Sequence, residues 1–352
     1  MTKYLIIGNG ESPHILKWVK ELTTYFELYL VSSQDVTPKI KELIPEDRIF
    51  TFHLMVSDSG GNVQFMRMVV PLIRIINKVK PDFVNAHYIT SHGVVAAIAK
   101  QFSRHQFTLI QSAWGSDILL TPFRNAFYKK LTRFALKHAS VATTDSKTVA
   151  GIIHELTSVE TITFPFGLEK LPDAFPDEKI SNLFFSNRTL NANSNIDRVL
   201  HFFARFLAQH QDARLVVAND GPLKEELTQL TRQLNIQGAV EFVRFISQDE
   251  QFDYYRKSQF YFSILSSDAL SVSLLEAMAF GCIPLVSNLP DNREWVKDGI
   301  SGVIMTEHTT PDILLTMQSK AQQIAEMNRE LIAEKAIFPK SIEVFNQRLR
   351  SL

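Results

Sequence analysis

The sequence predicts an α/β protein of two domains, each a doubly wound parallel sheet, and three observations predict it. The chain has 352 residues, more than one hydrophobic core usually organises, so two domains with separate interiors are expected. Short apolar runs alternate with helical patterns in both halves, as parallel strands joined by crossover helices do. The alternation breaks once, near Phe164-Pro165-Phe166-Gly167 and through the stretch Lys170 to Ser181, then resumes. This break reads as the interdomain connection and divides the chain into 1–167, 168–335 and a closing segment 336–352.

Each element has its own signal. In the first half, Tyr4 to Ile7, Leu28 to Ser32, Phe83 to Ala86, Thr108 to Ser112 and Val141 to Thr143 are apolar runs of strand length. Between them, His14 to Leu22 places Ile15, Leu16, Trp18, Val19 and Leu22 at helical spacing, and Met66 to Lys80 carries a similar stripe that Pro71 is expected to kink. The second half repeats the scheme with strands at Asn182 to Ser186, Leu215 to Ala218, Val240 to Phe245, Phe260 to Ile264 and Ile283 to Ser287. Its helices include Ile196 to Gln209 and Pro222 to Leu234, with Pro222 at the first helical position. The last segment reads as a helix broken by Pro339. Sheets of this kind hold ligands at the carboxyl ends of their strands, so a cleft between the domains is the expected site.

Composition narrows the function. Lys+Arg and Asp+Glu are 37 each, a net charge of +0, which argues against a protein that coats nucleic acid or is held on acidic membranes by bulk charge. No apolar run approaches the roughly 18 to 20 residues of a membrane span, and the first residues, Met1 to Gly8, read as a strand rather than a signal peptide. The single cysteine, Cys282, excludes internal disulfides and multi-thiolate zinc sites. A reducing cytoplasm is the natural setting, with the thiol packed as a small apolar group.

The segment Ser263 to Val286 carries the most chemistry. A strand ends at Leu265, a polar loop follows, and a helix starts near Ser271. The amides of Ser271, Val272 and Ser273, with the positive end of the helix dipole, suit an anion. Asp268 in the loop and Glu276 in the second turn could hold vicinal hydroxyls of a sugar and a ribose, because a carboxylate is an acceptor with several lone-pair sites. The alternative is that Asp268 only caps the loop and Glu276 is a solvated helix residue.

The acidic pair Asp268 and Glu276, the run Glu276-Ala277-Met278-Ala279-Phe280-Gly281-Cys282-Ile283-Pro284 and the downstream segment Asn292 to Gly302 resemble the donor-binding region of retaining glycosyltransferases of family 4. The resemblance implies the GT-B fold, two Rossmann-like domains facing a central cleft, with the second domain on the donor side, the first on the acceptor side, and the final helix returning to the first. Asp268 stands where the family more often has Glu, and Ala269-Leu270-Ser271 replaces its usual Gly-Phe-Gly. Arg188, in Phe185-Ser186-Asn187-Arg188, corresponds to the arginine that meets the donor phosphates, and a guanidinium fork suits phosphate oxygens. Asn193, Ser194 and Asn195 stand near where relatives place a second cation. Asp220 lies in a segment similar to the family's Asp-Gly-Pro turn.

In the first half, Gly8-Asn9-Gly10-Glu11-Ser12-Pro13-His14 joins a strand to a helix. Pro13 rules out a dinucleotide fingerprint, and in the resemblance this loop, with Gly10 and His14, faces donor diphosphate and acceptor; an ordinary turn is the other reading. His87, after Asn85-Ala86, looks like the family's histidine that contacts the transferred sugar, with His92 a weaker candidate, while a structural histidine is the alternative. Trp114 and Asp117, in Ala113-Trp114-Gly115-Ser116-Asp117, match a segment expected to bind acceptor or sugar hydroxyls, unless Asp117 caps the following turn. Arg124, Lys129, Lys130, Arg133 and Lys137, interleaved with Phe123, Phe127, Leu131 and Phe134, fit either a helix lying on anionic lipid or one whose polar face is solvated.

The expected function is therefore transfer of a sugar from a nucleotide-diphosphate sugar to a saccharide or lipid-linked saccharide, with retention and without a metal or other cofactor, in polysaccharide or glycolipid synthesis. Arg188, Asp268 and His87 would act on the reacting sugar and leaving group, and Glu276 on the ribose. A peripheral position at the inner membrane face through residues 123–137 goes with the lipid reading. The rivals are a catalytically silent relative that only binds a sugar nucleotide or a partner, and a nucleotide-sugar 2-epimerase.

Overall fold

A computed structural model describes residues 1–54, 63–173 and 179–351. The chain forms two compact units, Met1–Pro165 with Pro339–Leu352, and Phe166–Phe338. Part of the Lys170 to Ser181 stretch, residues 174–178, lies outside the described residues.

The first unit is built on strands β1 (Lys3–Gly8), β2 (Glu27–Ser32), β3 (Ile49–Thr51), β4 (Phe83–His87), β5 (Thr108–Ser112), β6 (Val141–Thr144) and β7 (Glu160–Thr163). They pair parallel in the order β3-β2-β1-β4-β5-β6-β7. Tyr4, Leu5, Ile6 and Ile7 are all fully buried, because helices cover both faces of such a sheet and both faces must be apolar. The Pro13–Leu22 helix buries Ile15, Trp18, Val19 and Leu22; Ser12 caps it, and Pro13 sits in its first turn where no N–H is needed.

The second unit contains β8 (Ile180–Ser186), β9 (Arg214–Ala218), β10 (Val240–Val243), β11 (Ser258–Ser263), β12 (Ile283–Ser287) and β13 (Val303–Met305). Their order is β10-β9-β8-β11-β12-β13, again parallel. Its core is dominated by phenylalanine. Phe184 stacks on Phe260 at 4.6 Å and on Phe262 at 5.4 Å, tying β8 to β11 across their apolar face.

In both sheets the strand order reverses beside the first strand, β1 against β4 and β8 against β11. At such a switch point the flanking loops diverge and leave a crevice beyond the carboxyl ends of the strands. The loops at these two places carry the candidate residues described below.

Four expectations need correction. Strands β3, β7 and β13 carry no apolar run long enough to be read from sequence. Pro71 does not kink its helix: it is the third residue of Val69–Val79, in the first turn, where it removes no intrahelical bond. Pro339 likewise opens the Phe338–Leu349 helix rather than breaking it. Pro222 precedes its helix, Lys224–Gln233, by two residues. At the unit boundary Leu168 bridges Ile337 in parallel, and a Cβ on Gly167 would fall 1.9 Å from the Ala336 carbonyl oxygen, so only glycine fits.

Candidate active site

In the second unit, Arg188 lies just past β8. Its Nε donates to Ser263 Oγ at 3.0 Å, and Nη2 donates to Ser271 Oγ and stands 3.9 Å from Asp268 Oδ2. Ser271 is also the N-cap of the Val272–Ala279 helix, accepting the Leu274 amide at 3.2 Å. The next two amides, of Val272 and Ser273, occupy the first helical positions, which have no intrahelical acceptor. A guanidinium, a serine hydroxyl and a helix N-terminus thus converge on one spot, and all three favour negative charge. Burial pushes the Asp268 carboxyl above its ordinary range while Arg188 pulls it down.

Glu276 is 8% exposed, so it is no solvated helix residue. Its carboxylate accepts from Gln251 Nε2 at 2.8 Å and from Tyr255 Oη at 3.4 Å. Asn187 completes the set, donating to Gln251 Oε1 at 2.8 Å and to Tyr255 Oη at 3.0 Å, and accepting from Tyr261 Oη at 2.7 Å. This network fixes the carboxylate, because moving it would strand several buried polar atoms.

Asn193 and Asn195 lace the neighbouring loop. Asn193 accepts the Ser267 amide and donates to the Ser267 carbonyl, both at 3.0 Å. Asn195, at φ +48°, donates to the Ile264 carbonyl at 2.7 Å and to Ser266 Oγ at 2.9 Å. Asn193 and Asn195 therefore hold the loop leading to Asp268. Asp220 is exposed, accepts the Gly221 amide at 2.9 Å and pairs with Lys224 at 3.6 Å.

In the first unit His87, Trp114, His14 and Asp117 do assemble. His87, at the end of β4, is 1% exposed. Its Nδ1 accepts the Trp114 indole N–H at 3.1 Å, and its ring meets Trp18 edge-on at 5.0 Å. It is closed off from solvent and positions Trp114. His92 is equally buried, with Nδ1 bonded to the His87 carbonyl at 2.8 Å and its ring against Phe65. Asp117, 2% exposed, accepts the amides of Ile89 at 2.8 Å and Trp114 at 3.0 Å. Each of its oxygens accepts one backbone amide, so it braces two loops. Gly10 donates its amide to Ser32 Oγ at 2.8 Å, and a Cβ there would lie 2.4 Å from Val36; crowding accounts for this glycine. His14 is exposed, with its ring 4.7 Å from that of Trp114, and Tyr88 stacks on the same indole.

Sequence reasoning missed Asn187, Gln251, Tyr255, Tyr261 and Ser263. Only Tyr261 and Ser263 left a signal, as polar groups on one face of an otherwise apolar strand.

The N-terminal residues 3–146 match the "Glycosyl transferase 4-like" family model and residues 169–332 match "Glycosyl transferases group 1". An alpha-monoglucosyldiacylglycerol synthase of Streptococcus pneumoniae is 26% identical over 64% of this chain, which spans about half (54%) of that relative's length. An N-acetyl-alpha-D-glucosaminyl L-malate synthase of Bacillus anthracis is 21% identical over 72% of the chain and 70% of its own. Among solved structures, Anabaena HepE in complex with UDP superposes with a TM-score of 0.79 at 15% identity over the full length of both chains. The sucrose-phosphate synthase of Thermosynechococcus elongatus gives 0.77 at 12% identity, over 100% of this chain and 99% of its own. With two family matches that together span most of the chain, and two parallel-sheet units of the GT-B type, the protein belongs to the group 1 glycosyl transferases.

Proposed function

We propose that the protein transfers a sugar from a nucleoside diphosphate sugar to an acceptor hydroxyl, with retention of configuration and no metal. The observation that carries this reading is the convergence of Arg188 and Ser271 at the start of the Val272–Ala279 helix, with Glu276 held a turn further on. The diphosphate would take the remaining guanidinium donors of Arg188 and the amides of Val272 and Ser273, which neutralise the charge that builds on the leaving group. Asp268 would exchange its contact with Arg188 for sugar hydroxyls, and Glu276 would receive the ribose hydroxyls. The departing phosphate oxygen can itself accept the acceptor's proton, so no protein base is assigned. Because solved relatives hold UDP, UDP is the first nucleotide to try. The relative named for glycolipid synthesis supports a lipid-linked or saccharide acceptor.

The test is titration with UDP, GDP and ADP, followed by steady-state kinetics with the corresponding sugar nucleotide. Arg188→Ala lowers kcat and Glu276→Ala mainly raises the donor KM; the reverse pattern refutes the two roles. Binding without turnover or hydrolysis indicates a silent relative, and donor conversion without acceptor an epimerase.

Contact with anionic lipid is the second part of the proposal. In the Ala126–Lys137 helix and the turn before it, Thr132, Ala135 and Leu136 face inward, while Phe123 and Phe127 remain 57% and 67% exposed beside Arg124, Lys130, Arg133 and Lys137. Packing on the sheet explains the buried positions and leaves those two aromatic rings unexplained; an amphipathic lipid contact uses them. Among the described residues no helix is long and apolar enough to cross a membrane.

A further inference from the structure

Tyr88 has the least comfortable backbone near either candidate cluster. At φ +69° and ψ 96° it occupies a region that aromatic residues avoid, and such a conformation persists only where its surroundings over-determine it. They do so here. Its amide donates to the Ser112 carbonyl at 3.0 Å, and its own carbonyl accepts the amides of Ser91 at 3.2 Å and Gly93 at 3.1 Å. The single π-helical turn Ile89–Gly93 follows directly, and Asp117 grips the Ile89 amide. Insertions of this kind are frequent at functional sites.

The strain has a product. Tyr88 as a residue stays 41% exposed, with its ring nearly parallel to the Trp114 indole at 19° and 6.1 Å. Trp114 is immobilised by His87 through its indole N–H and by Asp117 through its amide. The result is a rigid aromatic ledge with one open face, at the switch point of the first sheet. The proposed donor groups are all polar, and none of them offers an apolar face to a sugar ring.

We infer that Tyr88 is a substrate-contacting residue whose exposed side chain stacks against the C–H face of a pyranose. The inference rests on the sugar-transfer reading and adds the residue that would select ring shape and orientation. A flat, immobilised aromatic face suits this task because stacking costs little further ordering.

The experiment is saturation-transfer NMR on the intact protein, in the presence of whichever of UDP, GDP or ADP binds. The probes are the methyl α-glycosides of glucose, galactose and N-acetylglucosamine, and the sugar nucleotide itself. Wild type and Tyr88→Phe should transfer saturation to the C–H protons of at least one pyranose. Tyr88→Gly and Tyr88→Asn, which tolerate a positive φ, should weaken that binding roughly tenfold, the scale of one lost aromatic contact, with nucleotide affinity unchanged. Loss confined to a glycoside assigns the ledge to the acceptor, and loss confined to the sugar nucleotide assigns it to the donor sugar. The inference is overturned if the nucleotide binds and wild type saturates no pyranose, or if Tyr88→Gly and Tyr88→Asn, folded by thermal denaturation, bind as wild type does. If none of the nucleotides binds, the sugar-transfer reading itself fails.

Discussion

The two buried histidines of the first unit make that unit acid-sensitive, and the size of the effect follows from their surroundings. Burial holds His87 at about 3 and His92 at about 4, against an ordinary 6.5. Hydrogen bonding agrees with this: a proton on His87 Nδ1 would oppose the Trp114 N–H, and one on His92 Nε2 would lie unpartnered in the interior. Because folded values are depressed, stability is complete above 6.5 and falls with pH as the unfolded chain alone takes up protons. Between pH 7 and 5 each ring costs about 2 kcal/mol. Asp117 opposes them. Burial raises it from 3.8 to about 6, so the folded state binds this proton first and regains about 1 kcal/mol over the same interval. His14 is also held down, at about 4, by desolvation and by Lys17, but it is exposed, so solvent screening leaves its contribution small. The first unit should therefore lose about 2 to 3 kcal/mol between pH 7 and 5. Of the three tryptophans, Trp18 and Trp114 lie in this unit and Trp295 in the other. Urea titrations of Trp295→Phe followed by fluorescence isolate the transition. Replacing His92 with Asn, which can still donate to the His87 carbonyl, should shrink the pH difference by about 2 kcal/mol. A midpoint that is unchanged or higher at pH 5, or an undiminished difference in His92→Asn, would refute the reasoning.

Other changes have equally definite outcomes. Asn195→Ala removes the side-chain hydrogen bonds to Asn193, Ile264 and Ser266 and places alanine at positive φ, so the second unit should lose about 2 kcal/mol in denaturant titrations followed through Trp295, and Asn195→Gly should recover part of it. Gly221→Ala drives a Cβ to 2.4 Å from the Leu190 carbonyl oxygen, a backbone collision that should cost about 1 to 3 kcal/mol by the same measurement. The double change Phe123→Ser with Phe127→Ser should abolish co-sedimentation with phosphatidylglycerol vesicles while leaving the denaturation midpoint unchanged; undiminished binding would exclude these rings from lipid contact.

The fold was legible where strands are central. Runs such as Tyr4 to Ile7 and Phe260 to Phe262 are buried on both faces and must be continuously apolar. The overlooked strands are edge strands of three or four residues; Glu160–Thr163 is partly solvent-facing and needs no apolar run. The prolines were misjudged because their effect depends on the distance from a helix start, which sequence places only to within a few residues. At the site, the motif around Asp268 and Glu276 lies in one unit, with Arg188 beside Asp268. The burial of His87 and Asp117 was not legible, because it depends on contacts remote in sequence. The network around Glu276 was invisible for the same reason, since Asn187, Gln251 and Glu276 meet only after β8 and β11 have paired.

The Phe338–Leu349 helix has a consequence for how the chain is made. Phe345 packs against Trp18 at 5.6 Å and Phe164 at 5.5 Å, so the unit begun by the first residues is closed by almost the last. On the ribosome, the second unit can complete its core while the first still lacks a wall. Folding in order of synthesis, the usual course for successive domains, is inverted for this final step, and a nascent chain stalled before Phe345 emerges should expose Trp18 to chaperones and proteases.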